Sequence, residues 1–221
     1  MKLKLIRSYD EVSDIRTFVF ETGGAIWHAG QYQTYELDQV EGESGAKKRF
    51  FTIAAAPSEG EFHISTRVTD SAFKQALNAL QPGDEIEAHG IEGDFTWDTD
   101  ESVVLVAGGI GVTPYRSILL ERAAQGQSLD AHLLYFGRDE NFAFRSEFDQ
   151  LVAVHPELKI DYIAGEMITA DVILTHAPEA AERTTYLSGP EPMVDAIGDE
   201  LLKRNVTLKQ DWFPGYTEAT Y

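Results

Sequence analysis

The chain has 221 residues, enough for one large or two small domains with real cores, and nothing in it approaches the ~18 consecutive apolar residues needed to span a bilayer. It has no cysteine, which excludes disulfides, thiolate zinc sites and a cysteine-held iron–sulfur cluster within this chain. With 18 Lys and Arg against 37 Asp and Glu, the formal net charge of −19 argues against nucleic acid, whose phosphates are gripped by clustered cations, and disfavours a strongly acidic protein partner.

From Met1 to Asp10 basic residues interleave with apolar ones, without the long apolar core of a secretory signal, so a first strand and a cytoplasmic protein are expected. The first half then reads as six short strands, 2–7, 14–21, 32–37, 49–54, 61–68 and 85–89, rich in β-branched and aromatic residues. Turns are expected at Gly23-Gly24, Gly42 to Gly45, Pro57 to Gly60 and Pro82 to Asp84. Six such strands predict a small antiparallel β-barrel. A helix over 71–80 interrupts them, with Ala72, Phe73, Ala76, Leu77 and Leu80 on one face.

The polar run 97–102 marks the expected boundary, dividing a first domain, 1–98, from a second, 99–221. Beyond it strands 103–106, 131–136, 158–163 and 185–188 alternate with helices 114–124, 144–154, 170–176 and 191–204. That alternation predicts an α/β, doubly wound parallel sheet covered by helices on both faces.

Three stretches carry chemistry. The run Val103 to Pro114 joins a buried strand, a turn with Gly108, Gly109 and Gly111, and a helix start at which Thr113 is expected to cap and Pro114 to occupy the first turn. Such a helix start presents N–H groups to a pyrophosphate, although an ordinary glycine-rich turn has the same letters. On the strand Arg49-Phe50-Phe51-Thr52-Ile53, alternation sends Arg49, Phe51 and Ile53 to one side and Thr52 to the other. Arg49 there suits a phosphate, Phe51 a fused ring and Thr52 a ring edge; an edge-strand arginine beside two core aromatics is the equal alternative. Asp70 or Ser71 caps the first helix, whose free N–H groups make a second anion site. The six histidines form no metal-ligand spacing on a single element and are read as surface or barrel residues; no hydrolase motif is present.

Four blocks in order, Gly30-Gln31-Tyr32, Arg49 to Thr52, Gly108 to Pro114 and Ser188-Gly189-Pro190-Glu191-Pro192-Met193, resemble the ferredoxin–NADP reductase-like family of flavoprotein oxidoreductases. The resemblance runs from about residue 14 to about residue 216. It implies an N-terminal barrel that binds FAD and a C-terminal half that binds NADPH or NADH. It also implies roles: Arg49 on the FAD pyrophosphate, Phe51 stacked on the isoalloxazine beside Phe50, Thr52 near flavin N5, and Ser71 near the pyrophosphate. His63, Ile64, Ser65, Thr66 and Arg67 would run past the ribityl and phosphate region. Thr113 would lie at the nicotinamide, with Gly108, Gly109, Gly111, Pro114, Gly189, Pro190 and Met193 around that cofactor.

The chain departs from the pattern twice. Phe51 stands where the family often has tyrosine, which removes one hydroxyl and leaves the stacking face, and Ser188 stands where many members carry a cysteine near the transferred hydride. The aromatic tail Lys209-Gln210-Asp211-Trp212-Phe213-Pro214-Gly215-Tyr216 resembles the segment that covers the flavin in related reductases, with Phe213 the first choice, then Trp212 or Tyr216, and Asp211 the nearby carboxylate; a hydrophobic tail docked to the domain interface is the equal alternative. Arg138, after the second strand of the α/β half, would favour the extra phosphate of NADPH, while Asp139 would instead hold the ribose of NADH.

The implied activity is electron transfer from NAD(P)H through FAD to a separate acceptor, a protein carrier such as ferredoxin or flavodoxin. The alternatives are a reductase of diffusible acceptors such as free flavin or a ferric chelate, and a non-catalytic nucleotide-binding subunit.

Overall fold

The computed structural model describes residues 1–40 and 46–213; the expected turn at Gly42 to Gly45 and Tyr216 lie outside them. Strands β1 (Lys2–Val12), β2 (Ile15–Glu21), β3 (Tyr32–Glu36), β4 (Lys48–Thr52), β5 (Glu61–Arg67) and β6 (Glu85–Glu92) pair antiparallel in the order β4-β3-β6-β1-β2-β5. Its two ends meet where the Ala54 N–H donates to the His63 carbonyl at 3.0 Å. Leu3, Leu5, Phe18, Phe20, Phe62 and Ile64 point inward and fill it. Strand β1 runs five residues past the end its apolar alternation predicts, because beyond Leu5 main-chain pairing with β2, through register shifts at Leu5/Arg7 and Asp10/Val12, carries it with no need of buried side chains.

Helix α1 (Ala72–Ala79) begins where Ser71 Oγ accepts the Lys74 N–H at 3.4 Å. Phe73, Leu77 and Leu80 are buried as expected, but Ala72 is exposed and Lys74 takes a buried place. The first helical residue precedes the turn that packs on the barrel, so its methyl group faces solvent.

The second sheet is wholly parallel, in the order β11-β10-β7-β8-β9, from β7 (Val103–Gly108), β8 (Ala131–Gly137), β9 (Lys159–Ala164), β10 (Thr184–Pro190) and β11 (Leu208–Phe213). Along β7 the side chains divide. Val103, Leu105 and Ala107 join α2 (Thr113–Ala124) and α3 (Arg145–Val154) in one core, while Val104 and Val106 join α4 (Ala170–His176) and α5 (Glu191–Lys203) in another. The sheet is therefore covered on both faces, and its strands read as unbroken apolar runs for that reason.

Two expectations change. Residues 208–213 form an edge strand beside β10, with Ser188 level with Asp211 and Pro190 with Phe213, where an aromatic tail was expected. The polar run at 97–102 opens on a buried residue: Trp97 lies under Arg122, whose guanidinium is 4.0 Å from the ring centre and donates to the Trp97 carbonyl at 2.9 Å. Ile15, Phe95 and Trp97 share a core with α2 and α3, so the two sheets are packed together by apolar contact. No helix among the described residues is long and apolar enough to cross a membrane.

Candidate active site

Between the two sheets opens a cleft of about 320 Å³. The first sheet supplies Tyr32, Phe50, Phe51 and Thr52, the adjoining loops Gly30, Gly93, Asp94 and Phe95, and β11 supplies Gln210, Asp211, Trp212 and Phe213. Phe50 is 50% exposed and meets Tyr32 edge-on at 6.0 Å, whereas Phe51 is buried and tilted against Tyr35 and Phe73. Both alternatives for this strand are therefore partly realised: Phe51 is a core aromatic that also lines the cleft. Thr52 is 4% exposed and its hydroxyl has no hydrogen-bond partner. An unpaired buried hydroxyl costs about 1–3 kcal/mol, and a polar ring edge in the cleft would satisfy it.

Asp211, half-buried in β11, faces the same space as Asp94. Burial, and then the Asp94 charge, push its carboxyl up to about 7, so it exchanges a proton near neutrality. Tyr32 donates to Glu92 at 3.3 Å, and its hydroxyl is held above its ordinary range by burial and then by the acidic neighbours Glu92, Asp211 and Asp94.

A second site lies on the barrel. Arg49 is half-buried, donates to the Lys48 carbonyl at 2.6 Å and places its guanidinium 5.7 Å from the Phe73 ring centre. That brings it against the Ser71-capped start of α1, so a cation and a helix N-terminus stand together.

The glycine turn differs in detail from its reading. A single 3-10 turn, Gly109–Val112, precedes α2, and Val112, not Thr113, stands at the N-cap. Thr113 is the first helical residue; its hydroxyl donates back to the Ile110 carbonyl at 3.0 Å, which spends it on the turn, and Pro114 follows in the first turn as expected. Gly108 ends β7. Gly109, at φ +55°, has nothing within 4 Å of where a Cβ would stand, whereas a Cβ on Gly111 would lie 2.4 Å from the Ser188 carbonyl oxygen. One glycine leaves room for a ligand and the other lets the turn sit on β10.

Other expected residues lie outside this cleft's lining. Ser188 is fully buried with an unpartnered hydroxyl, and it sits between Ala107 of β7 and Asp211 of β11. Gly189 and Pro190 end β10, and Met193 of α5 packs over Gly189. On β5, Ile64 belongs to the barrel core and Thr66 is buried; His63 contacts Glu61 at 3.4 Å, Ser65 bonds Thr17 at 2.7 Å, and Arg67 pairs with Asp14. Burial, and then the Arg116 charge, lower the His63 pKa. Arg138 is exposed after β8, and the Asp139 carboxylate accepts the Asn141 N–H at 2.8 Å.

The histidines need correction. His132 is neither a surface nor a barrel residue: it is buried between Glu179 at 2.7 Å and Asp161 at 2.9 Å. Glu87 and His89 on β6 gather with Glu36 of β3 in ligand-like proximity, which no reading of one strand alone foresaw. Lys48 already pairs with Glu36 at 3.2 Å and supplies positive charge there.

Sequence reasoning also missed Asp94 and Arg116. Arg116 is 2% exposed and donates to the Ala54 carbonyl, to both oxygens of Glu59 and to both oxygens of Glu147, at 2.7 to 3.0 Å. Burial alone would raise the Glu59 carboxyl, and the Arg116 hydrogen bonds bring it below its ordinary range. The sequence offered no local sign that Arg116 is buried: Tyr115, Arg116 and Ser117 mix apolar, charged and polar residues as a solvated face does, and only the burial of Thr113 through Leu119 shows that these positions are covered.

A model of the oxidoreductase NAD-binding domain matches residues 105–199. The chain is 34% identical over 212 residues to ferredoxin–NADP reductase B of Sorangium cellulosum, covering 91% of this chain and 82% of that protein. It is 30% identical over 209 residues to a flavohemoprotein of Candida albicans, covering 85% of this chain and 51% of that protein. The chain thus spans about half to three-fifths of the flavohemoproteins it matches. In fold it superposes on the Amycolatopsis cytochrome P450 reductase GcoB with a TM-score of 0.82 at 20% identity, over 96% of this chain and 70% of that one.

Proposed function

This chain belongs to the ferredoxin–NADP reductase-like family of FAD- and NAD(P)-binding oxidoreductases, and from that membership we propose that residues 1–98 hold FAD, that residues 99–221 hold a nicotinamide dinucleotide, and that electrons pass from one to the other and on to a separate acceptor. When bound, FAD takes two electrons from reduced nicotinamide and releases them singly or together.

The observation that carries the reading is the cleft itself, where Thr52 of the first sheet and Asp211 and Phe213 of the second line one space. The residues fit the group. Phe50 and Phe51 offer aromatic surface, the unpaired Thr52 hydroxyl offers a partner to a ring edge, and Arg49 beside the capped start of α1 suits a pyrophosphate. Phe213 lines the cleft at the end of β11, level with Pro190 of the strand that carries Ser188, and in this reading its ring yields when a nicotinamide enters. Asp211, its carboxyl pushed up to about 7 by burial and then by the Asp94 charge, keeps a protonatable group on the wall of the cleft, and the apolar walls keep water from competing. Arg138, exposed beside an Asp139 already engaged by its own turn, favours the 2′-phosphate of NADPH.

Anaerobic titration of the purified protein with NADH and NADPH separately tests all of this. Bleaching of a bound flavin is expected, at lower concentration with NADPH. A protein that takes up no FAD, or whose flavin stays oxidised, would refute the assignment.

A further inference from the structure

We propose that Arg116 is a positioning residue, the clamp that holds the strand end carrying Thr52 against the helix start carrying Thr113, and so sets the gap across which the two cofactors meet. The inference rests on the proposed function, since it concerns the alignment of those two sites.

Arg116 lies three residues, roughly 4.5 Å of helix rise, after Thr113. Its Nη1 donates at 2.8 Å to the carbonyl of Ala54, two residues beyond Thr52. The guanidinium therefore touches the chain close to both proposed sites at once. Its partners divide by origin. Ala54 and Glu59, the latter at 2.9 and 3.0 Å, belong to the barrel half, whereas Glu147, at 2.7 Å to each oxygen, belongs to α3 of its own half. Two further bonds run parallel to the clamp: Ser117 Oγ donates to the Ala55 carbonyl and the Ser58 N–H to Glu121, each at 2.7 Å.

The clamp is rigid for physical reasons. A planar fork that is 2% exposed and satisfied by two carboxylates cannot swing away without stranding a buried charge. Its far face lies 5.2 Å from the ring centre of Phe144, which adopts a left-handed φ of +62° that non-glycine residues normally avoid. The fold thus accepts backbone strain at the position that covers the clamp. Electron transfer between stacked cofactors depends steeply on alignment, and a misplacement of about 1 Å can cost on the order of 10²-fold in rate.

The test compares Glu59→Ala, which removes the ion pair of Arg116 across the halves and leaves the bonds to Ala54, Ala55 and Ser58 in place, with Glu147→Ala, which removes its ion pair within one half. Both are read with FAD bound, by melting temperature, by stopped-flow flavin reduction at varied NADPH and NADH, and by the long-wavelength absorbance that stacked reduced nicotinamide and oxidised flavin share. Glu59→Ala should slow flavin reduction at saturation by tenfold or more and dim that absorbance, with KM changed less than threefold. Glu147→Ala should stay within twofold of the parent in all three while melting comparably early. Amide exchange at residues 52–55, read without cofactor and apart from the Ala56 N–H that Glu59 itself accepts at 2.7 Å, should quicken only in Glu59→Ala. Equal effects in the two variants, or a normal rate and absorbance in Glu59→Ala, would make Arg116 merely structural and overturn the proposal. Glu59→Gln carries the same comparison if the alanine variant does not fold. Parent protein that binds no flavin would sink the proposed function alone, and the exchange data would still decide the clamp.

Discussion

Asp211→Asn should stabilise the protein selectively at alkaline pH. A carboxyl raised from 3.8 to about 7 in the folded chain binds its proton more tightly there than when unfolded. Its contribution is therefore intact below about pH 4 and is lost progressively up to about pH 7, above which the folded chain holds a poorly solvated charge near Asp94. Integrating that linkage gives a penalty of about 2 kcal/mol at about pH 5.5 and about 4 kcal/mol at about pH 8.5, a difference of about 2 kcal/mol. Asp211 is half-buried, and solvent screening brings the difference to between about 1 and 2 kcal/mol. Asparagine keeps the shape and cannot ionise, so the variant should gain that amount over the parent between the two pH values. Urea denaturation of both proteins at one fixed flavin concentration measures it, with both buffers kept above the sequence pI of 4.6, where low net charge favours precipitation. Parallel stability curves, with the variant offset equal at both pH values, would show that the carboxyl does not titrate differently on folding. The same variant should lose an inflection near pH 7 from the profile of flavin reduction.

Gly111→Ala and Gly109→Ala should separate packing from binding. The first forces a methyl group against the Ser188 backbone and should cost at least about 1–3 kcal/mol in chemical denaturation, whereas the second meets open space, should cost only the roughly 1–2 kcal/mol of a left-handed alanine, and should weaken binding of ADP-ribose more than it weakens the fold. Equal losses of stability would refute the division. Arg49→Ala should weaken FAD retention by roughly 1.5–3 kcal/mol, a ten- to hundredfold rise in Kd by fluorescence titration, with little change in melting, and normal flavin occupancy would remove Arg49 from the phosphate site. Phe213→Ala should open the cleft beside β10 and lower the KM for the nicotinamide dinucleotide several-fold; unchanged steady-state constants would mean that this ring guards nothing.

Much of the architecture was legible because burial writes itself into period. Val103 to Val106 reads as an apolar run because the two cores take its side chains alternately, and Phe73, Leu77 and Leu80 read as a helix face because they sit on the barrel. The strand of Arg49 to Thr52 was legible as chemistry because a cation, aromatics and a hydroxyl seldom share one strand without a polar partner, and the unpaired Thr52 hydroxyl is what that mixture comes to in three dimensions. Strand β11 was not legible as a strand. It is an edge strand with no buried residue, held by main-chain bonds to β10, so its side chains carry no period and its aromatics read as a docked tail.

Arg116 shows why the remainder of the site could not be read from local pattern. Its partners lie 57 and 31 residues away, in a turn before β5 and in α3, and neither Glu59 nor Glu147 differs locally from any other surface carboxylate. The same holds for Asp211, whose carboxyl is raised first by burial and then by the charge of Asp94, a residue far from it in sequence that lines the same cleft. Cofactor-binding turns are short because a phosphate is small, whereas the distance between two cofactors is a property of the joint between two halves of the molecule. Beyond its apolar contacts, that joint is fixed by a buried guanidinium, a carboxylate and carbonyls, whose specificity lies in geometry and not in residue type. It follows that substitutions near residues 54–59 and 113–121 should change how fast electrons cross before they change which nucleotides bind, while substitutions at Arg49 or Gly109 should do the reverse.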